Sequence, residues 1–175
     1  TAPAVQAQVQ TLVPPVVPGA RPVIVQTIIV HSKALEGNLE GESPDRKVIV
    51  YLPPDYDKNP HKRYPVVYFM HGYGMDPEGI AQVSLIAQNA MVDTRQSDKT
   101  RMPKFIIVLV DGKCRPGGDV EQAPLPEMGD LCEEGTFYTE HPEGDAHAES
   151  ELMELEDYID ANYRTKAPAD VPFVE

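Results

Sequence analysis

The chain contains 175 residues, and 41% of them are of hydrophobic type, which is enough for one core of ordinary size. Acidic residues outnumber basic ones by 28 to 15, the net charge is −13, and residues 119–160 contain no Lys or Arg. Such a surface repels polyanions, and no apolar stretch approaches the roughly 20 residues that cross a bilayer, so we expect neither a nucleic-acid partner nor a membrane span.

Residues 1–22 are rich in Pro, Val, Ala and Gln and contain Pro14-Pro15 and Pro18-Gly19. They lack helical periodicity, which predicts a leader or an arm that lies on the surface. The first residues, without an initiator Met, are typical of a processed or trimmed end. We expect residues 23–175 to belong to one domain.

Two segments then predict an antiparallel hairpin. Residues 23–30 are typical of a strand, a turn-like polar stretch follows, and residues 46–52 place Val48, Val50 and Leu52 on one face. This alternation predicts a hairpin with one covered side.

The next strand, residues 66–70, is apolar on both faces, as expected for a central strand covered on two sides. Asp76 is a candidate cap for a helix that begins at Pro77 and continues with apolar residues at helical spacing to Met91. Residues 105–110 form a second doubly apolar strand. The order predicts a βαβ unit, and hence an α/β fold with a mostly parallel sheet and an antiparallel N-terminal edge.

A second amphipathic helix is predicted over residues 149–163, with Leu152, Leu155, Ile159 and Tyr163 on one stripe. Two parallel strands and an edge hairpin make too small a sheet to be finished. We therefore expect the fold to be incomplete in this chain.

Two cysteines, Cys114 and Cys132, lie in one loop rich in glycine and proline. Either they form a local disulfide in an oxidising compartment, or they are two unrelated thiols of a cytosolic protein. We favour the disulfide, because an irregular loop of this length is costly to order without a covalent tie.

The first doubly apolar strand ends abruptly in His71-Gly72-Tyr73-Gly74. A turn between a strand and a helix leaves backbone N–H groups pointing outward at the carboxyl end of the sheet, where ligands of open α/β sheets bind. Glycines beside Tyr73 let a substrate approach the backbone, and the N–H groups could hold an oxyanion or a phosphate. A simple tight turn explains the same residues equally well. We expect His71 to anchor this turn by hydrogen bonds rather than to act as a base.

Five segments, in this order, resemble the N-terminal half of the putative-esterase branch of the α/β-hydrolase fold. They are VIVYLPPDY (48–56), YPVVYFMHGYG (64–74), FIIVLVDG (105–112), GTFY (135–138) and LEDYIDANYRT (155–165). That branch includes feruloyl esterases, S-formylglutathione hydrolases and mycolyltransferases. The resemblance implies that the backbone N–H of Tyr73 contributes to an oxyanion hole, with Gly72 and Gly74 shaping the turn. It also implies that His71, Phe137 and Tyr138 lie at the substrate, and that no cofactor is needed.

The chain departs from this branch because it contains no Gly-X-Ser-X-Gly elbow, and the triad order places Ser, acid and His beyond Glu175. Its serines all lack the flanking glycines: Ser32, Ser43, Ser84, Ser97 and Ser150. We expect the chain to be one part of a secreted or periplasmic serine esterase and to be inactive alone. Its partner would be the C-terminal remainder of the same hydrolase, which carries the elbow. Its substrate would be a small or carbohydrate-linked ester. The alternative is a non-catalytic binding module of the same fold.

A third possible function, a metal-dependent hydrolase, would use a cluster of possible metal ligands: His141, Asp145, His147, Glu149 and Glu151. No recognised metal spacing is present, and Asp145 also fits a helix cap with the glutamates in the first turn, so we expect no metal site. Asp111-Gly112 is predicted to be a turn that could border the site.

Overall fold

The computed structural model describes residues 6–8, 23–38, 43–72, 77–78, 89, 91, 102–112, 140–141 and 146–166. The strands are β1 (Gln6–Gln8), β2 (Ile24–His31), β3 (Asp45–Leu52), β4 (Val66–Met70), β5 (Ile106–Val110), β6 (Glu140–His141) and β7 (Ala146–His147). A 3-10 helix covers Lys33–Leu35, and an α-helix, α1, covers Ala148–Asn162.

The main sheet has the strand order β1-β2-β3-β5-β4 among the described residues. The predicted hairpin is confirmed, because β2 and β3 pair antiparallel from Ile24 opposite Leu52 to His31 opposite Asp45. The predicted parallel pair is confirmed as well, since β4 and β5 run side by side in the same direction. Strand β1, which lies in the predicted arm, pairs antiparallel with β2 and was not predicted.

Both faces of the sheet are covered at its centre. One cluster joins the sheet to α1, and its buried members include Val48, Val50 and Leu52 as predicted. On the opposite face, Ile49 and Tyr51 belong to a second buried cluster. The prediction of one covered side is therefore wrong for β3, although it holds for β2, whose Ile28 and Val30 are buried while their neighbours are exposed.

The prediction that β4 is a central strand is wrong for the described part of the sheet. Every residue of β5 is buried because β5 lies between β3 and β4. Strand β4 stands at the end of the order, and its Val67 and Met70 are 38% and 50% exposed. An apolar composition on both faces thus does not distinguish the central strand from its neighbour.

Helix α1 confirms the predicted stripe. Leu155 and Ile159 are buried against the sheet, and Leu152 and Tyr163 pack beside them. Two glutamates, Glu149 and Glu151, occupy the first turn, where the helix dipole favours negative charge.

After α1 the chain arrives beside the amino end of β4. Tyr64 and Thr165 form a parallel bridge, in which Tyr64 N–H donates to Arg164 O over 2.8 Å and Lys166 N–H donates to Tyr64 O over 2.9 Å. The neighbouring Pro65 O accepts the Ile106 N–H over 2.9 Å. Because successive residues of a strand direct their backbone groups to opposite sides, Thr165 lies on the side of β4 that faces away from β5.

The first predicted helix is described at Pro77, Glu78, Asn89 and Met91, and each of these residues is helical. Met91 belongs to the second core cluster, and its Sδ accepts the Phe105 N–H over 3.3 Å. In the part of the chain that the structure describes, no helix has the length and apolar character needed to cross a membrane.

Aromatic residues lie beside the amino end of β4. The Tyr56 hydroxyl accepts the Arg164 N–H over 2.9 Å, and the Arg164 guanidinium lies 3.6 Å from the centre of the Tyr56 ring. Tyr163 donates its hydroxyl to Gln26 Oε1 over 2.9 Å. Tyr64 is 1% exposed, burial raises the pKa of its hydroxyl, and that hydroxyl has no hydrogen-bond partner among the described residues.

We predict opposite effects for two hydroxyl deletions. Tyr64→Phe removes a buried donor that has no partner in the described part of the chain, so the free energy of unfolding should stay unchanged or rise by up to about 1 kcal/mol. Tyr163→Phe removes a satisfied hydrogen bond and should lower it by about 1 kcal/mol. Urea denaturation of the two variants beside the parent measures both changes, and a clear loss of stability in Tyr64→Phe would contradict the assignment.

Candidate active site at the carboxyl ends of β4 and β5

The carboxyl ends of β4 and β5 meet the first residues of β3 at one edge of the sheet. Strands β4 and β5 are parallel, so Met70 and Val110 end side by side. Strand β3 runs in the opposite direction, with Ile49 opposite Leu109, which brings Arg46 to the same edge. Ligands of open α/β sheets bind at this edge, and the chain leaves β4 here through His71 and Gly72.

The side chain of His71 connects the two strand ends. Its Nε2 accepts the Gly112 N–H over 3.0 Å and lies 3.3 Å from Asp111 Oδ1, and its Nδ1 is 3.0 Å from Gly72 O. Because Nε2 accepts a backbone N–H, the proton of the neutral ring belongs on Nδ1, which donates to the Gly72 carbonyl. The imidazole is 6% exposed. The prediction that His71 anchors the turn by hydrogen bonds is therefore confirmed.

Asp111 is a buried junction in this edge. It is 3% exposed, its carboxylate faces His71, and its backbone carbonyl accepts a hydrogen bond from Arg46 Nη2 over 2.6 Å. The sequence suggested a turn residue that borders the site. The structure gives it more contacts than a turn requires, because its carbonyl binds Arg46 of β3 and its carboxylate lies against the His71 ring that follows β4.

Arg46 and Glu151 form a buried ion pair that the sequence analysis did not identify. Arg46 Nε donates to Glu151 Oε1 over 3.0 Å, and the two side chains are 5% and 10% exposed. A usable signal was present: Arg46 shares the alternation of Val48 and Val50, and Glu151 precedes Leu155 by one helical repeat. A charge on a covered face requires a buried partner, so each residue pointed to the existence of the other.

The remaining predicted site residues divide into two groups. Gly72 is described and exposed, directly after β4. Six others lie outside the described residues, so their roles stay predictions: Tyr73, Gly74, Cys114, Cys132, Phe137 and Tyr138. The substrate contact assigned to His71 also stays a prediction, and its ring nitrogens already have the protein partners given above.

The histidines of the possible metal cluster lie in a short strand pair, where Glu140 is opposite His147 and His141 is opposite Ala146. Glu151, a third candidate ligand, has its carboxylate bound to Arg46. Asp145 lies outside the described residues. Within the described ranges, no three His, Cys, Asp or Glu side chains come together as a ligand set.

The mixed sheet, with parallel β4 and β5 and an antiparallel N-terminal edge, is that of an α/β-hydrolase fold, as the comparisons with known proteins show. Residues 43–171 match the model of the family described as "Putative esterase". That match extends over more than half of the chain, so the chain belongs to this family.

Solved structures with the same fold support this classification. A ferulic acid esterase is 22% identical with a TM-score of 0.56, covering 83% of this chain and 46% of that one. An S-formylglutathione hydrolase from Agrobacterium tumefaciens is 18% identical with a TM-score of 0.52, covering 82% and 46%. A CE1 ferulic acid esterase from the anaerobic fungus Anaeromyces mucronatus is 25% identical with a TM-score of 0.52, covering 92% and 53%. This chain therefore spans about half the length of these proteins.

We predict that His71 stabilises this edge measurably. His71→Ala removes the acceptor of the Gly112 N–H and should lower the free energy of unfolding by about 1 to 3 kcal/mol. His61 is exposed and provides a matched control, for which His61→Ala should change stability by less than about 0.5 kcal/mol. Urea denaturation measures both, and equal effects would show that the His71 contacts contribute nothing.

Proposed function

We propose that this chain is the N-terminal part of a serine carboxylic-ester hydrolase that acts through an acyl-enzyme. The chain supplies half of the oxyanion hole through the backbone N–H of Tyr73, while Gly72 and Gly74 shape the turn. The chain belongs to the "Putative esterase" family. The observation that carries the proposal is that hydrogen bonds of His71 fix the first residues of this turn, His71 and Gly72, at the carboxyl edge of the sheet.

The chemistry of ester hydrolysis explains why such a turn is useful. Attack on the ester carbonyl produces an oxyanion, and donors that already point at that position stabilise it without reorganisation. A backbone N–H is a suitable donor because the surrounding strands fix its direction. The second donor would be the residue after the nucleophile.

The nucleophile must come from polypeptide outside this sequence, because no Gly-X-Ser-X-Gly elbow is present. Ser32 is 2% exposed and donates its hydroxyl to Glu154 Oε2 over 2.8 Å, which gives it a structural role. The pairing of Thr165 with Tyr64 supports a partner for the outer edge of β4. We propose that the C-terminal remainder of the hydrolase completes the sheet there and brings the Ser, His and acid.

The comparisons with solved structures support a proposal for the substrate class. Ferulic acid esterases and an S-formylglutathione hydrolase share the fold, so we propose a carboxylic ester, small or linked to a carbohydrate. His71, Phe137 and Tyr138 would contact it. A secreted or periplasmic location, with Cys114 bonded to Cys132, belongs to the same proposal.

Activity is tested on the protein purified in its full natural form. A peptide map should contain a Gly-X-Ser-X-Gly peptide, and the sample should hydrolyse p-nitrophenyl acetate until a serine-directed fluorophosphonate abolishes the reaction. Methyl ferulate, an oxygen ester, and S-formylglutathione, a thioester, are assayed in parallel. They distinguish a substrate like that of the ferulic acid esterases from one like that of the S-formylglutathione hydrolase. A folded protein that contains the elbow but turns over none of these esters would instead favour the alternative, a binding module of the same fold.

The role of the turn gives a second prediction in the complete enzyme. Gly74→Val changes the backbone that aims the donor and should lower kcat by up to about 100-fold to 1000-fold, the usual cost of losing one oxyanion donor. Tyr73→Phe keeps the backbone N–H and should change kcat far less. Steady-state kinetics of the two variants decide the matter, and equal or reversed losses would count against Tyr73 as the donor.

A further inference from the structure

We propose that Arg46 and Glu151 are positioning residues that couple helix α1 to the backbone of His71 and Gly72. These two residues begin the turn that the proposed function assigns to the oxyanion hole, called the turn below. The inference rests on the proposed function, because it adds residues to that same site. Neither side chain would touch the substrate. Both would act through Asp111 and His71.

The contacts form a continuous path from α1 to the turn. Glu151 on α1 accepts from Arg46 Nε on β3 over 3.0 Å, and Arg46 Nη2 donates to Asp111 O at the end of β5 over 2.6 Å. The same peptide group donates its N–H, that of Gly112, to His71 Nε2 over 3.0 Å, and His71 Nδ1 donates to Gly72 O over 3.0 Å. These contacts link α1, β3, the end of β5 and the end of β4 in turn, so a shift of α1 relative to β3 is transmitted to Gly72.

The guanidinium of Arg46 is suited to this role because its donors are held in one rigid plane. One edge of that plane binds Glu151, and a second nitrogen binds the carbonyl of Asp111. The carboxylate therefore sets the orientation of the guanidinium, and the guanidinium sets the position of the carbonyl. Lysine, with a single nitrogen on a flexible stem, cannot impose the same geometry on two acceptors.

Burial makes the path stiff. Arg46, Glu151, Asp111 and the ring of His71 are each at most 10% exposed, so water does not readily replace a broken contact. Buried ion pairs are frequently no better for stability than well-packed apolar residues of similar volume. Apolar residues could not replace the hydrogen bond from Arg46 to the Asp111 carbonyl, which fixes the position of that carbonyl.

Two variants of the complete enzyme separate positioning from stability. The double variant Arg46→Met/Glu151→Met replaces the pair by apolar side chains, and its urea unfolding midpoint should stay unchanged or rise. Its kcat for p-nitrophenyl acetate should fall by about 10-fold to 100-fold, the scale of a misplacement near 1 Å, with little change in KM. Arg46→Lys keeps the charge but loses the planar fork, so its kcat should also fall. This variant tests the inference if the double variant fails to fold.

The matched control is Lys104→Met. Lys104 is another cation that donates to a backbone carbonyl, Pro54 O over 2.7 Å, but it precedes β5 at the opposite end of the sheet from the turn. This variant should keep the parental kcat. A fall in kcat as large as that of the Arg46 variants would show a general effect of losing a cation and would overturn the inference.

A nitrogen-15 NMR measurement reads the turn directly, independently of ester hydrolysis. In the parent, His71 should show an unprotonated Nε2 that accepts from Gly112 and a protonated Nδ1. In the Arg46 variants, the Nε2 signal and the Gly112 amide signal should shift and the Gly112 amide should exchange faster, whereas Lys104→Met leaves them unchanged. Folded Arg46 variants with parental kcat and parental His71 signals would overturn the inference. If the parent enzyme hydrolyses no ester, the proposed function fails, and the NMR signals alone then decide whether Arg46 positions the turn.

Discussion

The structure at this edge depends on one imidazole that holds two parallel strand ends together. Strands of a sheet twist relative to one another, and beyond the last backbone hydrogen bond of the ladder no backbone pairing holds the ends of two adjacent strands together. His71 supplies that connection by accepting the Gly112 N–H and contacting Asp111, directly after β4 and β5 end. The backbone that leaves β4 therefore starts from a fixed point, and a fixed start is the first requirement for a preorganised donor.

The contacts that build the site are distant along the chain. Asp111 is 40 residues from His71 and 65 from Arg46, and Arg46 is 105 residues from Glu151. Each of them joins two of the elements β3, β4, β5 and α1, which share one core cluster, so each requires that its two elements have packed together. Formation of the core thus desolvates the polar path and fixes it at the same time, which makes the geometry of the edge a consequence of correct packing.

Local periodicity predicted the elements well, since the spacing of Val48, Val50 and Leu52 and of Leu155 and Ile159 reflects one buried face in each case. It failed where burial depends on neighbours that the local pattern does not contain. The second covered face of β3 is covered by Met91 and Phe105, and the outer position of β4 is set by the order of pairing. For the candidate site, the anchoring role of His71 was predictable from its place after an apolar strand, whereas the buried pair required knowing which charged residues face each other across the core.

Among the described residues, the side of β4 that faces away from β5 has one pairing, the bridge between Tyr64 and Thr165 just before the strand. Exposed edges with apolar side chains invite a further strand, and Val67 and Met70 of β4 are partly exposed. The bridge between Tyr64 and Thr165 is parallel, so a strand continuing from Thr165 along β4 would run the same way as β4. Its carboxyl end would then arrive beside His71 and Gly72, because parallel strands end at the same edge. In an α/β-hydrolase fold the nucleophile stands on the turn that follows a strand, so this pairing supports the proposal that the C-terminal remainder brings a serine to the backbone that follows His71 and Gly72.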